Sequence, residues 1–147
     1  MQVIVEGLAL AATRLAGSGF GDPIITSITK MIARDEARHV GFGSVALAGL
    51  YDGMTSKELD EREKFLLEAV HLMSRRFLLR EVWERMELDV EKGVKFAQTD
   101  PMMFGYRQLL FQQVIHLLRQ LGLLTPKLRD LFLTENLARP EAFRNLA

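Results

Sequence analysis

From the first residues onward, apolar side chains recur every third or fourth position, and no run alternates with period two over a useful length. That pattern predicts an all-α protein, helix after helix, without internal repeats or low-complexity linkers. A first helix runs to about Ala16, with Val3, Glu6, Gly7 and Leu10 on one face. Gly17-Ser18-Gly19-Phe20-Gly21 then reads as a plain interhelical turn, since no strand precedes these glycines and their spacing is not that of a phosphate loop. Asp22-Pro23 combines an N-cap with proline at the first helical position, opening a second helix to about Tyr51, closed by Asp52-Gly53. Thr55 with Glu58 forms a capping box for a very long third helix toward Glu91 or Lys92, with Gly93 as kink or stop. Asp100-Pro101 starts a fourth helix, carrying Leu109, Leu110, Val114, Leu117, Leu118 and Leu121 and ending at Gly122. Thr125-Pro126 opens a short fifth to about Asn136, and Pro140 a last turn. The expected organisation is one helical domain over 1–147, a bundle built from a hairpin over 1–52 and additional helices over 55–147.

The second helix holds an anomaly. Ile25, Ile28, Thr29, Ile32, Glu36, His39, Val40 and Gly43 share a face, an apolar stripe interrupted by one carboxylate and one imidazole. Glu36 and His39 are three residues apart, so they project from adjacent turns, close enough to hold one metal ion. In a buried stripe an unpaired carboxylate costs several kcal/mol or is neutralised, so it needs a metal, an arginine such as Arg14 or Arg38, or a hydrogen-bond network. At about 1.5 Å per residue, Glu6 lies about 15 Å below Ala16, and Glu36 about 20 Å below Pro23. An antiparallel hairpin therefore brings Glu6 level with Glu36 and His39. Two carboxylates and one imidazole are donors that suit iron or manganese.

Composition narrows the chemistry. The 147 residues are 48% hydrophobic and 26% charged, which describes a globular protein with room for a core. Lys+Arg and Asp+Glu are equal at 19 each, leaving no net field to draw nucleic acid or an acidic membrane. There is no cysteine, which removes disulfides, thiolate zinc, iron-sulfur clusters and cysteine nucleophiles. Glu6 interrupts the apolar N-terminus and no basic region precedes it, so neither signal peptide nor membrane span is expected, and a cytoplasmic location is the default.

Val5-Glu6-Gly7-Leu8-Ala9-Leu10, followed after a hairpin by Asp35-Glu36-Ala37-Arg38-His39, resembles the C-terminal half of the ferritin-like di-iron carboxylate proteins. That superfamily includes ribonucleotide reductase small subunits, acyl-carrier-protein desaturases, bacterial multicomponent monooxygenases and other di-iron oxygenases. The resemblance covers residues 1 to 43. It implies a centre with one Glu from each of two helices and a Glu-x-x-His pair from each of two more. By this resemblance Glu6 matches a lone Glu, Glu36 with His39 matches the final Glu-x-x-His, and Asp35 matches an aspartate that orients a histidine of the other half. Arg38 matches an arginine of the desaturase motif, expected in structural ion pairs. The implied activity is that of an oxidoreductase or oxygenase activating dioxygen at iron or manganese on an unidentified substrate.

These positions supply half of a complete ligand set. Glu68 and His71 repeat the Glu-x-x-His spacing, but with Lys64 and Arg75 they form a polar stripe beside Leu66, Val70, Met73 and Phe77. A solvated face is their first reading and additional metal ligation their second. His116, near Gln113, Arg119 and Gln120, is also expected at the surface, and Trp83 and Phe104 in packing. The other half belongs to a longer chain of which this is a fragment, to a second copy in a homodimer, or to Glu68 and His71. Two rival functions stand beside the oxidoreductase: ferritin-like iron oxidation for storage, and a metal-free structural helical bundle.

Overall fold

A computed structural model of the chain describes residues 2–19 and 21–143. Among them are seven α-helices, a final 3-10 turn and no strand: α1 (Gln2–Gly19), α2 (Pro23–Leu47), α3 (Ser56–Arg76), α4 (Arg80–Arg85), α5 (Val90–Thr99), α6 (Pro101–Gln120), α7 (Pro126–Thr134) and the turn Pro140–Phe143. The all-α reading holds. Two compact units result, Met1–Leu59 with Leu110–Leu124, and Asp60–Leu109 with Thr125–Ala147.

Helix starts follow the local chemistry of the sequence. Asp22 accepts from the backbone N–H groups of Ile24 and Ile25 at 2.8 and 2.9 Å ahead of α2, and Asp100 does the same for Met102 and Met103 at 3.0 Å each ahead of α6. The Thr55 backbone N–H donates to Glu58 Oε2 at 2.8 Å, which closes the capping box of α3, and Thr125 caps α7 through Leu128 at 3.2 Å. Each cap satisfies N–H groups that the helix itself leaves without partners.

In the first unit α1 and α2 pack as a hairpin. Two contacts near its ends fix the antiparallel sense: His39 lies beside Glu6, and Gly17 lies where a Cβ would meet Thr29 Oγ1 at 2.8 Å. Of the glycines read as a breaker from sequence, Gly17 and Gly19 instead lie within α1, which continues to Gly19, while Gly21 stands between α1 and α2. Gly17 serves the close helix crossing, and Ser18 donates to the Leu15 carbonyl at 3.0 Å, keeping the last turn wound. Phe20 of the expected turn lies outside the described residues. Leu10, Val40 and Leu117 form a buried cluster flanked by Ala33 and Ala37, so the C-terminal half of α6 roofs the hairpin. At Gly7 a Cβ would stand 2.7 Å from Leu117 Cδ1. The second helix stops at Leu47 rather than Tyr51, because Ala48 turns to extended backbone and Gly49 takes φ +73°.

In the second unit the expected long third helix is three helices. It ends at Arg76, Leu79 adopts φ 58° before α4, and Glu87 adopts φ 56° before α5. Neither residue is a glycine, so nothing local in the sequence marks either break. The compensating interaction is tertiary: Trp83 donates its indole N–H to the Leu78 carbonyl at 2.9 Å, meets Phe96 edge-on at 6.4 Å and lies flat over Gly93. Gly93 is therefore inside α5, as the gap that accepts the indole, and not a stop. The α7 end of this unit is tied by Glu135, whose carboxylate accepts from His71 Nδ1 at 2.8 Å and from the buried Ser74 hydroxyl at 2.9 Å. Lys127 donates to Glu63 at 2.6 Å.

Two stability measurements check this account. A Cβ at Gly93 would fall 2.5 Å from Trp83 Cγ and Cδ2, so Gly93→Ala is expected to lower unfolding free energy by about 1–3 kcal/mol in urea titration, despite alanine's better helix propensity. Hydrogen bonds from Lys127 and Thr125 hold Glu63 below its ordinary value of 4.5. A depressed folded-state pKa contributes stability that is present above 4.5 and lost as pH falls through and below that value. Glu63→Gln is therefore expected to reduce stability at pH 7 and to flatten the acid limb of a thermal-denaturation pH series.

Candidate metal centre

Glu6 comes from α1, and Glu36 and His39 from adjacent turns of α2. The hairpin brings them together: His39 Nδ1 lies 3.7 Å from Glu6 Oε2 and 3.7 Å from Glu36 Oε2, and one donor atom from each of the three falls within 4.8 Å of the other two. They are the one such group of three found among the described residues. The two glutamate side chains are mostly covered, 18% and 20% exposed, while His39 is 60% exposed at the rim.

The electrostatics of the pair are unfavourable as they stand. Glu36 Oε2 is buried and, with both carboxyls ionised, has no hydrogen-bond donor. Its pKa is raised above 4.5, first by a hydrogen bond with the Glu6 carboxyl, then by burial and by the Glu6 charge; His39 opposes the rise. The repulsion favours the protonated form of Glu36, since only a protonated carboxyl can donate to the other. A cation would remove the same repulsion. Metal–ligand bonds of about 2.0–2.2 Å require donors about 3–4 Å apart, which the two 3.7 Å separations satisfy. Two carboxylate oxygens and one imidazole nitrogen suit iron, manganese or a similar divalent ion, and the residues present fit such an ion.

The other sequence candidates lie elsewhere. Asp35 is exposed and receives Arg38 Nη1 at 2.6 Å, so in this structure it orients an arginine, and Arg38 makes the structural ion pair expected of it. His71 is held by Glu135 in the second unit, and Glu68 is exposed. Neither joins the three-residue group. His116 is exposed, as its polar neighbours suggested. Sequence reasoning missed Glu135 as the partner of His71, because a contact 64 positions apart leaves no periodic signal.

One expectation needs correction. The stripe bearing the ligands is not a dry seam: Ile25, Ile28 and Ile32 are 41%, 51% and 42% exposed, and Val40 is its buried member. The reason is angular. The hairpin and roof are met by the side of α2 that bears Ala33, Ala37 and Val40, and the isoleucines are rotated away from it. Comparison with protein-family models, with curated proteins and with solved structures finds no match.

Because the pKa of Glu36 is raised, its favourable contribution is complete below 4.5 and is lost as pH rises through the higher folded-state value. Glu36→Gln, which keeps a hydrogen bond to Glu6 without a second charge, is expected to raise the melting temperature of chelator-treated protein at pH 8. At pH 4 it is expected to change that temperature little.

Proposed function

We infer that this chain binds iron, or manganese, through Glu6, Glu36 and His39, as half of a ferritin-like dinuclear carboxylate centre in a dioxygen-activating oxidoreductase or oxygenase. The observation that carries this reading is the convergence of the three donors within 4.8 Å around a buried carboxylate oxygen that lacks a donor. The resemblance of Glu6 and of Asp35-Glu36-Ala37-Arg38-His39 to that superfamily supplies the reaction class. When bound, such a centre would supply the electrons that reduce dioxygen.

The protein's own groups have definite parts in this reading. Glu6 and Glu36 carry the negative charge that neutralises the cation. His39 offers Nδ1 as a ligand from the rim, 60% exposed. Ala33 and Ala37, packed on the Leu10–Val40–Leu117 cluster, hold α2 in register so that Glu36 and His39 stay aimed at Glu6. Asp35 and Arg38 steady the next turn outward.

Metal titration tests the reading. Anaerobic Fe(II) or Mn(II) is expected to load to one ion per chain and, at a hundred times Kd, to stabilise the protein by about 2.7 kcal/mol. Glu36→Ala and His39→Ala are each expected to weaken binding by about a hundredfold or more, whereas His71→Ala is expected to leave it unchanged. Many ions per chain would favour iron storage, and none would leave a structural bundle.

A further inference from the structure

We propose that a second copy of this chain covers the exposed face of the α1–α2 hairpin about a twofold axis and contributes its own Glu6, Glu36 and His39 to the same centre. This rests on the metal reading above and names the partner it requires.

Four observations point to that occupant. The face around the ligands is apolar and open: Val5 on α1 and Ile24, Ile25, Ile28, Ile32 and Phe42 on α2 are all exposed, Ile24 and Phe42 at 70% and 77%. Isolated exposed apolar residues are ordinary, but a row of five along one helix beside a candidate site marks a contact surface. Its size is sufficient. From Ile24 to Phe42 α2 rises about 27 Å, and two packed helices are about 20 Å across, so two copies would bury about 1,100 Å², just past the roughly 1,000 Å² that a specific interface has to clear.

Charge does not oppose self-association. Lys30, Arg34 and Arg38 recur every fourth residue on another flank of α2, and Asp35 is paired with Arg38. Asp35, seven residues from both Ile28 and Phe42, lies within the open face, so a like copy would meet isoleucine and phenylalanine together with a carboxylate already paired with Arg38. Finally, the donor count is complementary. One hairpin gives two carboxylates and one imidazole, too few to enclose two cations, whereas a twofold axis beside His39 doubles them to four and two without any residue foreign to this chain. The rim position of His39 sets it beside such an axis.

Sedimentation equilibrium of the full chain with and without Mn(II), combined with electron paramagnetic resonance, tests the proposal. The expected result is a metal-strengthened dimer with two Mn(II) per dimer and the split spectrum of a coupled pair. Ile28→Asp and Phe42→Asp are expected to weaken dimerisation at least tenfold and abolish the coupling, with Met102→Asp, equally exposed on α6, as an unaffected control. A monomer that binds Mn(II) overturns the shared centre and leaves the metal reading standing. A dimer insensitive to both substitutions overturns it equally. A dimer sensitive to them but unable to bind Mn(II) or Fe(II) overturns both readings. Loss of fold in both variants, seen by circular dichroism, would mean that the face is buried within one chain, and would also overturn it.

Discussion

Two carboxyl groups facing one another across a helix pair set the terms for the first unit. Water normally screens such a repulsion, but Glu6 and Glu36 are mostly covered, and one oxygen of Glu36 is buried. The helices cannot relieve the strain by parting. They are held near one end by the Gly17–Thr29 crossing and near the other by the Leu10–Val40–Leu117 cluster, with Gly7 closing on Leu117. Moving Glu6 away from Glu36 would open that packing, at the cost of core contact.

Elsewhere the same chain handles covered carboxylates differently. Glu63, 12% exposed, receives Lys127 and is held below its ordinary pKa. Glu135, 25% exposed, receives His71 and the Ser74 hydroxyl, while Arg107 donates to its backbone carbonyl at 3.4 Å. Each has a positive or hydrogen-bonding partner from another helix. Glu36 has instead a second carboxyl as the main influence on its pKa, and that influence raises it. The contrast separates a carboxylate that anchors a fold from a pair arranged against its own charge, and perturbation of the second kind is characteristic of sites that bind or react.

Much of the fold was legible because it is written locally. Asp22-Pro23, Asp100-Pro101, Thr125-Pro126 and the Thr55–Glu58 box name their own helix starts, and all four act as the spacing predicts. The meeting of Glu6 with Glu36 and His39 followed from helical rise and an antiparallel hairpin. What escaped was tertiary. The breaks at Leu79 and Glu87 depend on where Trp83 finds Gly93, and no residue near either break announces it. Gly17 and Gly93 were read as punctuation, yet both are gaps for a neighbour, since a glycine's missing Cβ looks the same in sequence whether it frees the backbone or admits a side chain. The outward turn of Ile25, Ile28 and Ile32 escaped for a related reason: periodicity identifies a face but not the side on which the partner helix lies.

That outward turn links the site to its surroundings. Apolar side chains occupy two flanks of α2, one covered by α1 and α6 and another open, beside a charged flank of Lys30, Arg34 and Arg38. In the proposed dimer, covering the open flank lowers the local dielectric at the ligands. A bare pair of carboxylates is then more costly, and a pair bridged by a cation more favourable, than on an open surface. Coverage and metal binding are thus coupled with one sign. Reciprocity requires each to strengthen the other by the same factor. On this proposal either event alone would leave part of the hairpin's unfavourable energy in place, as repelling carboxylates or as open apolar surface.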